Sequence, residues 1–302
     1  VVRRAIESVA SNPSLEAFDQ QVLKTLFLIR YVDEITGNID NLVTLFIDRI
    51  DADRLELRKE IEASLQRLEG QTLVNRNGED YFFLTNEERD ISREIKTVDL
   101  ASGEETKLLG ELIFDEVLGS LRKYRYPENN KDFGISRLCD LHPYGNRSEG
   151  DLVISVVTPL SDEYDAFGEA RCITQSTSDD GQVLIRLDDD KALARELRTY
   201  LQTDKYIKRK NDGTATHTTQ KILRERSDEN RERKERLKAI IERLMKEAKY
   251  YAAGQPRPAP SGSVGAAAEE ALGYLVKNSF PKLGYLNNPV SNPQTEIRSV
   301  LA

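Results

Sequence analysis

The stretch QTLVNRNGEDYFFLT, residues 71–85, decides the fold expected for the N-terminal part of the chain. Two short runs rich in β-branched and aromatic residues, TLV and YFFLT, flank the sequence NRNGED. Its Asn77-Gly78 pair is the strongest two-residue signal for a β-hairpin, because both residues tolerate positive φ. The stretch therefore predicts a hairpin between segments of helical periodicity.

Three predicted helices precede this hairpin. In residues 14–35 apolar side chains recur at steps of three and four, residues 39–48 form a second apolar helix capped near Asp40, and residues 51–70 form a third that ends at Gly70. Three helices followed by a hairpin is the order of a winged-helix domain, in which the third helix faces the groove of DNA and the hairpin is the wing. The third helix is expected to point Leu55, Ile61, Leu65 and Leu68 inward.

Strand signals mix with helices beyond the predicted wing. Short apolar runs at residues 151–160 and 181–190 are typical of buried strands. The predicted fold class is α+β: a winged helix followed by a small mixed α/β domain and a long charged helix. The predicted units are a winged-helix domain over 1–100 with leading and trailing helices, an α/β domain over 105–215, a charged helix over 216–252, a Pro/Gly/Ser/Ala linker over 253–268, and the start of a further unit over 269–302.

Composition excludes several classes of protein. The 302 residues carry a net charge of −8, so a nucleic-acid contact would need a local basic patch. No apolar run approaches the roughly 18 residues of a membrane span. Cys139 and Cys172 make no disulfide framework, which favours a reducing, cytoplasmic location. The chain begins with Val and lacks a signal peptide, and we interpret it as an interior fragment of a longer protein.

Two possible cofactor sites have simpler interpretations. VLIRLDDD ends in Asp188, Asp189 and Asp190 like the metal-binding strand of P-loop proteins, but the sequence has no G-x-x-x-x-G-K-[ST] motif. We interpret these acids as the N-cap and first turn of a helix beginning at Lys191, with a divalent-metal role beside Asp162 or Glu163 as the alternative.

Zinc would need Cys139, His142, Cys172 and His217, which are scattered along the chain; Cys139 is better interpreted as a small buried hydrophobe. With two histidines and no G-x-S-x-G motif, no catalytic site, metal site or cofactor is expected.

Basic side chains suggest two places for nucleic-acid contact. One is the third helix with the wing tip, although Glu56, Glu60, Glu62 and Glu69 on that helix would repel phosphate. The other combines residues 121–126 and 205–213, where Lys and Arg alternate with Tyr, a composition that suits backbone contact but also solvated strand edges. The candidate nucleic-acid-binding residues are Arg54, Arg58, Lys59, Arg67, Arg76, Lys123, Arg125, Lys208, Arg209 and Lys210.

A family resemblance rests on two stretches, NLVTLFIDRIDADRLELRKEIEASLQRLE at residues 41–69 and LEGQTLVNRNGEDYFFLTNEE at residues 68–88. Over residues 23–95 the chain resembles the winged-helix region of BREX-system P-loop ATPases, the BrxC-type component of bacteriophage-exclusion defence islands. The resemblance implies a large AAA+-like ATPase whose phosphate-binding loop lies in a module before this region. None of the nucleotide-binding residues of the family has a counterpart here.

The sequence thus predicts a non-catalytic segment of a phage-defence ATPase that docks to double-stranded DNA or to other BREX-complex proteins and couples that engagement to ATP turnover elsewhere in the protein. No membrane partner is expected. The alternatives are a stand-alone winged-helix transcriptional regulator and a purely structural protein–protein interaction module.

Overall fold

The computed structural model describes residues 12–146, 152–177, 182–210, 216–258, 262–285 and 293–301. The chain divides into two compact units. The helical unit comprises residues 1–100 and 199–236, and the sheet unit comprises residues 101–198 and 237–302. Within the described ranges, no helix combines the length and the apolar character needed to cross a bilayer.

The helical unit begins with three helices and a hairpin. Its elements are α1 (Ala17–Ile29), α2 (Ile39–Phe46), α3 (Arg54–Gly70), β1 (Val74–Asn77), β2 (Asp80–Phe83), α4 (Asn86–Lys96), the end of α7 (Lys191–Lys210) and most of α8 (His217–Glu247). Helices α2 and α3 each begin where a side chain caps the backbone: Asn38 accepts a hydrogen bond from the Asn41 backbone amide at 2.8 Å, and Asp53 accepts from the Leu55 amide at 2.9 Å.

The predicted hairpin is confirmed. Antiparallel β1 and β2 pair Asn77 with Asp80, and Gly78, the first of the two loop residues, has φ of +65°. Glycine adopts this left-handed conformation without strain. A further isolated bridge joins Asn38 to Asp80, so the segment before α2 lies beside the hairpin.

The core of these elements is apolar, with one departure from expectation. Ile61, Leu65 and Leu68 of α3 are buried as predicted, whereas Leu55 is 74% exposed, so its predicted inward position was wrong. Leu55 precedes Ile61 by six residues, which at about 100° per residue turns it roughly 120° away from the buried stripe.

The sheet unit carries the remaining elements. They are α5 (Glu104–Gly110), a π-helix (Glu111–Val117), β3 (Lys123–Arg125), β4 (Asp132–Cys139), β5 (His142–Tyr144), β6 (Leu152–Val157), a 3₁₀ turn (Tyr164–Ala166), α6 (Glu169–Ser176), β7 (Gln182–Arg186), the start of α7, the end of α8, β8 (Lys249–Ala252), β9 (Gln255–Arg257), α9 (Val264–Ser279), a 3₁₀ turn (Leu283–Tyr285) and α10 (Pro293–Leu301). The expected mixture of helices and strands is confirmed.

The main path of the sheet runs through six strands in the order β3-β4-β6-β7-β8-β9, and β5 pairs with β4 off this path. Strands β4, β6 and β7 are parallel, and the other pairings are antiparallel. Both faces are covered: Tyr251 of β8 packs with Cys172 of α6, and its neighbour Tyr250 shares a small pocket with Ala267 and Ala271 of α9.

The C-terminal boundaries differ from the expected ones. The long charged helix ends at Glu247 rather than near residue 252, and β8 follows it and pairs with β7. Within the expected linker, residues 255–257 form β9, and α9 begins at Val264 and packs on β7 and β8. The Pro/Gly/Ser/Ala composition suggested a linker, but alanine is also the best helix former, which favours α9 over residues 266–268.

Candidate functional site

Of the predicted nucleic-acid-binding cations on α3, some are paired with carboxylates of the described residues and one is not. Arg58 donates a hydrogen bond to Asp40 and lies 3.7 Å from Glu62. Exposed Lys59 lies 3.7 Å from Glu56. Arg54 is exposed at the start of the helix, and none of the carboxylates that the structure describes lies within ion-pair distance of it.

Arg67 pairs with a buried carboxylate of the helical unit. Its guanidinium donates to both carboxylate oxygens of Asp19, at 2.9 and 2.8 Å, and the Asp19 side chain is fully buried. Burial acts to raise the pKa of the Asp19 carboxyl, but hydrogen bonds from Arg67 and from the Glu16 amide hold the pKa below its usual value. The Arg67 side chain is 29% exposed, and its guanidinium balances the buried charge of Asp19.

Arg76 folds back onto the hairpin instead of extending from its tip. Its Nε donates to the Gly78 carbonyl at 2.7 Å, its guanidinium lies 3.2 Å from Glu79, and it sits over the Tyr81 ring at 5.4 Å. The side chain is 20% exposed. This placement differs from the expected groove-contacting tip, since these local partners hold the guanidinium against the hairpin.

The tip of the hairpin contacts α8, which sequence reasoning missed. Asn77 donates to Glu232 at 3.0 Å and accepts from Arg236 at 2.6 Å, and Asn75 donates to Glu229 at 3.3 Å. More than 150 residues separate the partners. Because such contacts depend on tertiary packing, no local sequence signal could have indicated them.

The second basic area is divided between the two units. Lys208 lies 2.7 Å from Asp204, Lys210 lies 3.1 Å from Glu94, and exposed Arg209 has no carboxylate partner in the described part of the chain. These three belong to the helical unit.

The remaining predicted cations lie on β3 of the sheet unit. Arg125 makes two hydrogen bonds with Asp132, its cross-strand neighbour on β4, at 2.8 and 3.0 Å. Lys123 is exposed on the same strand. Arg125 is thus partnered within the sheet, and Lys123 retains the solvated position expected of a charge on an edge strand.

Four exposed apolar side chains lie between the end of α2 and the start of α3. We call this set the α2–α3 face; its members are Leu45, Ile47, Ile50 and Leu55. Ile50 is fully exposed. Asp48 and Asp51 lie in the same segment with side chains 85% and 88% accessible, and each is 4.0 Å from exposed Arg49. The helical phase of Leu55 relative to Ile61 is the sequence signal that could have revealed this face.

Among the acids that follow β7, Asp190 caps the helix α7. Asp190 accepts hydrogen bonds from the amides of Ala192 and Leu193 at 2.7 and 3.1 Å, which confirms its predicted role as a helix cap. Arg243 also donates to Asp190. Although burial acts to raise the pKa of Asp190, the Ala192 amide and Arg243 lower it below the usual value. Both carboxylate oxygens of Asp190 therefore have donors within the protein.

Both cysteines are buried, and His142 makes a hydrogen bond with the backbone. Cys139 is buried, and burial raises the pKa of its thiol well above the usual value. His142 follows it on β5 and makes a hydrogen bond of 2.7 Å through Nδ1 with the Asp140 carbonyl. Cys172 is buried in α6, and His217 belongs to the helical unit. No group of three or more His, Cys, Asp or Glu side chains is arranged for a metal ion in the ranges that the structure describes.

These observations define the chain as an α/β protein in which a six-strand path is combined with a helical, hairpin-bearing unit. The family model described as the BREX ATP-binding protein BrxC 4th domain with six-stranded beta sheet matches residues 98–275. The match covers more than half of the 302 residues, and the chain belongs to this family. The resemblance is thereby confirmed, through a region that follows the stretches on which it rested. No solved structure matches the chain.

Proposed function

We propose that the chain is a non-catalytic docking segment of a BREX defence ATPase. In this proposal the helical unit is a winged helix whose α2–α3 face binds another protein of the BREX complex, and that engagement is coupled to ATP turnover elsewhere in the full protein. The observation that carries the proposal is the exposure of Ile50 and Leu55 in a family of ATP-binding defence proteins.

The winged-helix assignment is supported by the order of elements and by one close backbone approach. The three helices precede the hairpin, and the Asn38–Asp80 bridge adds a third extended segment beside it. Gly37 permits this approach: its carbonyl accepts from the Tyr81 amide at 3.1 Å, and a Cβ on Gly37 would lie only 2.2 Å from the Tyr81 carbonyl oxygen.

Charge favours a protein partner for the α2–α3 face. Ile50 and Leu55 would be buried by a partner, which gives the hydrophobic gain typical of interface cores. Asp48 and Asp51 together outnumber Arg49, which lies 4.0 Å from both, so this exposed segment is net acidic; it would repel a phosphate backbone and complement a basic rim on a protein. The expected occupant is therefore an apolar protein surface with Lys or Arg at its margin.

Duplex DNA is the second candidate partner, and the exposed position of Arg54 is the observation that favours it. Arg54 and Lys59 lie exposed on α3, the helix that a winged helix places at DNA. Asn77, at the tip of the hairpin, is hydrogen-bonded to Glu232 and Arg236 of α8.

A binding experiment with purified BREX-complex proteins tests the α2–α3 face. We expect an Ile50→Ser/Leu55→Ser double variant to lose binding to its partner by tenfold or more, while Leu28→Ser retains it. Leu28 is the matched control because its side chain is also exposed, at 69% against 74% for Leu55. Equal binding by both variants would contradict this face as the docking surface.

Titration of a labelled ~30-bp duplex across a salt series tests the DNA candidate. Salt-sensitive binding that is lost in an Arg54→Glu/Lys59→Glu variant would favour DNA over a protein partner. Absence of binding at low salt by the intact chain would eliminate direct DNA contact by this segment.

A further inference from the structure

The sheet unit contains a concave pocket in which Arg122, from the predicted basic stretch 121–126, is joined by residues that none of the predicted sites includes. Its volume is about 330 Å³, and it is lined by Arg122, Ile135, Arg137, Gly145 and Asn146. This is within the size range of small-molecule sites, roughly 300–1,000 Å³. Two arginines and an asparagine are therefore among the residues that line a space large enough for a small ligand.

Strand pairing sets the two arginines on one side of the sheet. The Ile135 amide donates to the Arg122 carbonyl at 2.9 Å, so Arg122 lies opposite Ile135. Arg137 follows Ile135 by two residues on β4, and residues two apart on a strand share a face. Lys123, the next residue after Arg122, belongs to the opposite face.

Arg137 is held in place by groups around it. It donates to Asp115 at 3.0 Å, and its guanidinium lies 5.0 Å from the Tyr144 ring centroid. Tyr144 in turn donates to Asp115 at 2.5 Å and stacks on Phe114. Asp115 and Phe114 both come from the π-helix, a rare element that occurs frequently at functional sites. Orientation of a guanidinium before binding reduces the entropy lost when a ligand is bound.

Gly145 lets the guanidinium reach the pocket. A Cβ at this position would lie 2.8 Å from Nη2 of Arg137, and Gly145 has φ of +76°. A glycine is thus required both by the backbone conformation and by the space that Arg137 occupies.

The two cations at the pocket differ in their pairing within the described ranges: Arg137 is paired with Asp115 at 3.0 Å, whereas Arg122 is not paired. Asp115 is satisfied by Arg137 and Tyr144, and their hydrogen bonds, that of Tyr144 foremost, hold the pKa of Asp115 below its usual value. Exposed Arg122 has no carboxylate within ion-pair distance in the described ranges. The planar fork of an arginine matches an oxyanion through paired hydrogen bonds.

We propose that this pocket binds the phosphate group of a small phosphate-bearing molecule, with Arg122 and Arg137 as the cationic contacts and the Asn146 amide as a further donor. An adjoining pocket of about 370 Å³ shares Gly145 and is lined by Pro143, Tyr144 and Lys107, among others. This second space receives the organic part of such a molecule.

Calorimetric titration of the intact chain with inorganic phosphate and with phenyl phosphate, in a phosphate- and sulfate-free buffer of low ionic strength, tests the inference. We expect saturable binding of both probes, with phenyl phosphate at least threefold tighter because its ring enters the second pocket. Arg122→Gln should weaken both at least tenfold. Lys123→Gln is the matched control, since it removes an equal charge from the adjacent residue on the other face, and it should leave binding within twofold.

Three outcomes would overturn the proposal: absence of saturable binding by the intact chain at millimolar probe, equal weakening by Arg122→Gln and Lys123→Gln, or unaltered binding in Arg122→Gln. Both substitutions are at exposed positions, and circular dichroism verifies that the variants fold. A Gly145→Ala variant supplies an independent readout: because its Cβ would meet Arg137, it should weaken binding while leaving Arg122 in place.

Discussion

Single residues in the helical unit show how charge is used in this chain. Two ion pairs join distant segments: Arg67 of α3 binds the buried Asp19 of α1, and Arg30 binds Glu88 of α4 at 2.7 and 2.9 Å. Arg30 also donates to the Phe83 carbonyl at 2.6 Å. Side chains that looked like nucleic-acid contacts can thus be structural, because a buried carboxylate needs a cationic partner.

Arg67→Ala should lower the free energy of unfolding by about 3 kcal/mol, because it leaves the buried Asp19 charge without its partner. Arg54→Ala, which removes an exposed cation from the same helix, should change it by no more than about 0.5 kcal/mol. Urea unfolding followed by circular dichroism measures both. Equal effects of the two substitutions would contradict a structural role for Arg67.

The same pairs make stability depend on pH. For Glu88, burial acts to raise the pKa, but hydrogen bonds from Arg30 and the Thr85 amide hold it below its usual value, as Arg67 does for Asp19. Carboxylates with a lowered folded-state pKa contribute stability above their unfolded values of about 4, and the contribution is lost as pH falls through the folded values.

Urea midpoints measured from about pH 7 down to about pH 3 should therefore decrease below about pH 5. The Glu88→Gln variant should show a shallower decrease, since it cannot take up the proton at this site. A variant with the same slope as the unaltered chain would show that Glu88 does not contribute.

At the scale of elements, the segment before α2 lies against the hairpin, where the Tyr81 amide donates to the Gly37 carbonyl at 3.1 Å. Gly37→Ala should destabilise the chain by about 1–3 kcal/mol, because the added Cβ would collide with the Tyr81 carbonyl. Gly70→Ala is the control: nothing lies within 4 Å of its Cβ position, and alanine is the better helix former by about 0.5–1 kcal/mol. Thermal unfolding compares the two, and a stable Gly37→Ala variant would argue against this tight packing.

At the scale of the whole chain, the sheet unit depends on segments that are far apart in sequence. β8 and β9 extend the sheet beyond β7, and α9 covers it, although α7 and α8 intervene. A chain truncated after residue 248 should lose cooperative unfolding and aggregate, because the edge of β7 and its buried Leu184 and Ile185 would be exposed. Size-exclusion chromatography with thermal unfolding tests this, and a monomeric, cooperatively folded truncation would contradict it.

The sequence by itself determined the features that depend on neighbours a few residues apart. The Asn77-Gly78 pair predicted the hairpin, and the apolar periodicity of α3 predicted its buried stripe. The apolar runs at residues 151–160 and 181–190 predicted β6 and β7, and the acids before Lys191 predicted a helix cap. Each of these follows from local conformational preference or from the repeat of a helix or strand, so it can be predicted from the sequence before any tertiary contact is known.

Only the tertiary structure decided which charges are available and which strands complete the sheet. Arg67 became a core partner because α1 carries Asp19 to it, and the hairpin tip met α8 more than 150 residues away. The segment predicted as a Pro/Gly/Ser/Ala linker contains β9 and the start of α9, because β8 offers an edge to pair with and the sheet a face to cover. Such contacts join residues that are distant along the chain, and their free energy comes from burial and pairing that exist only once the chain has folded.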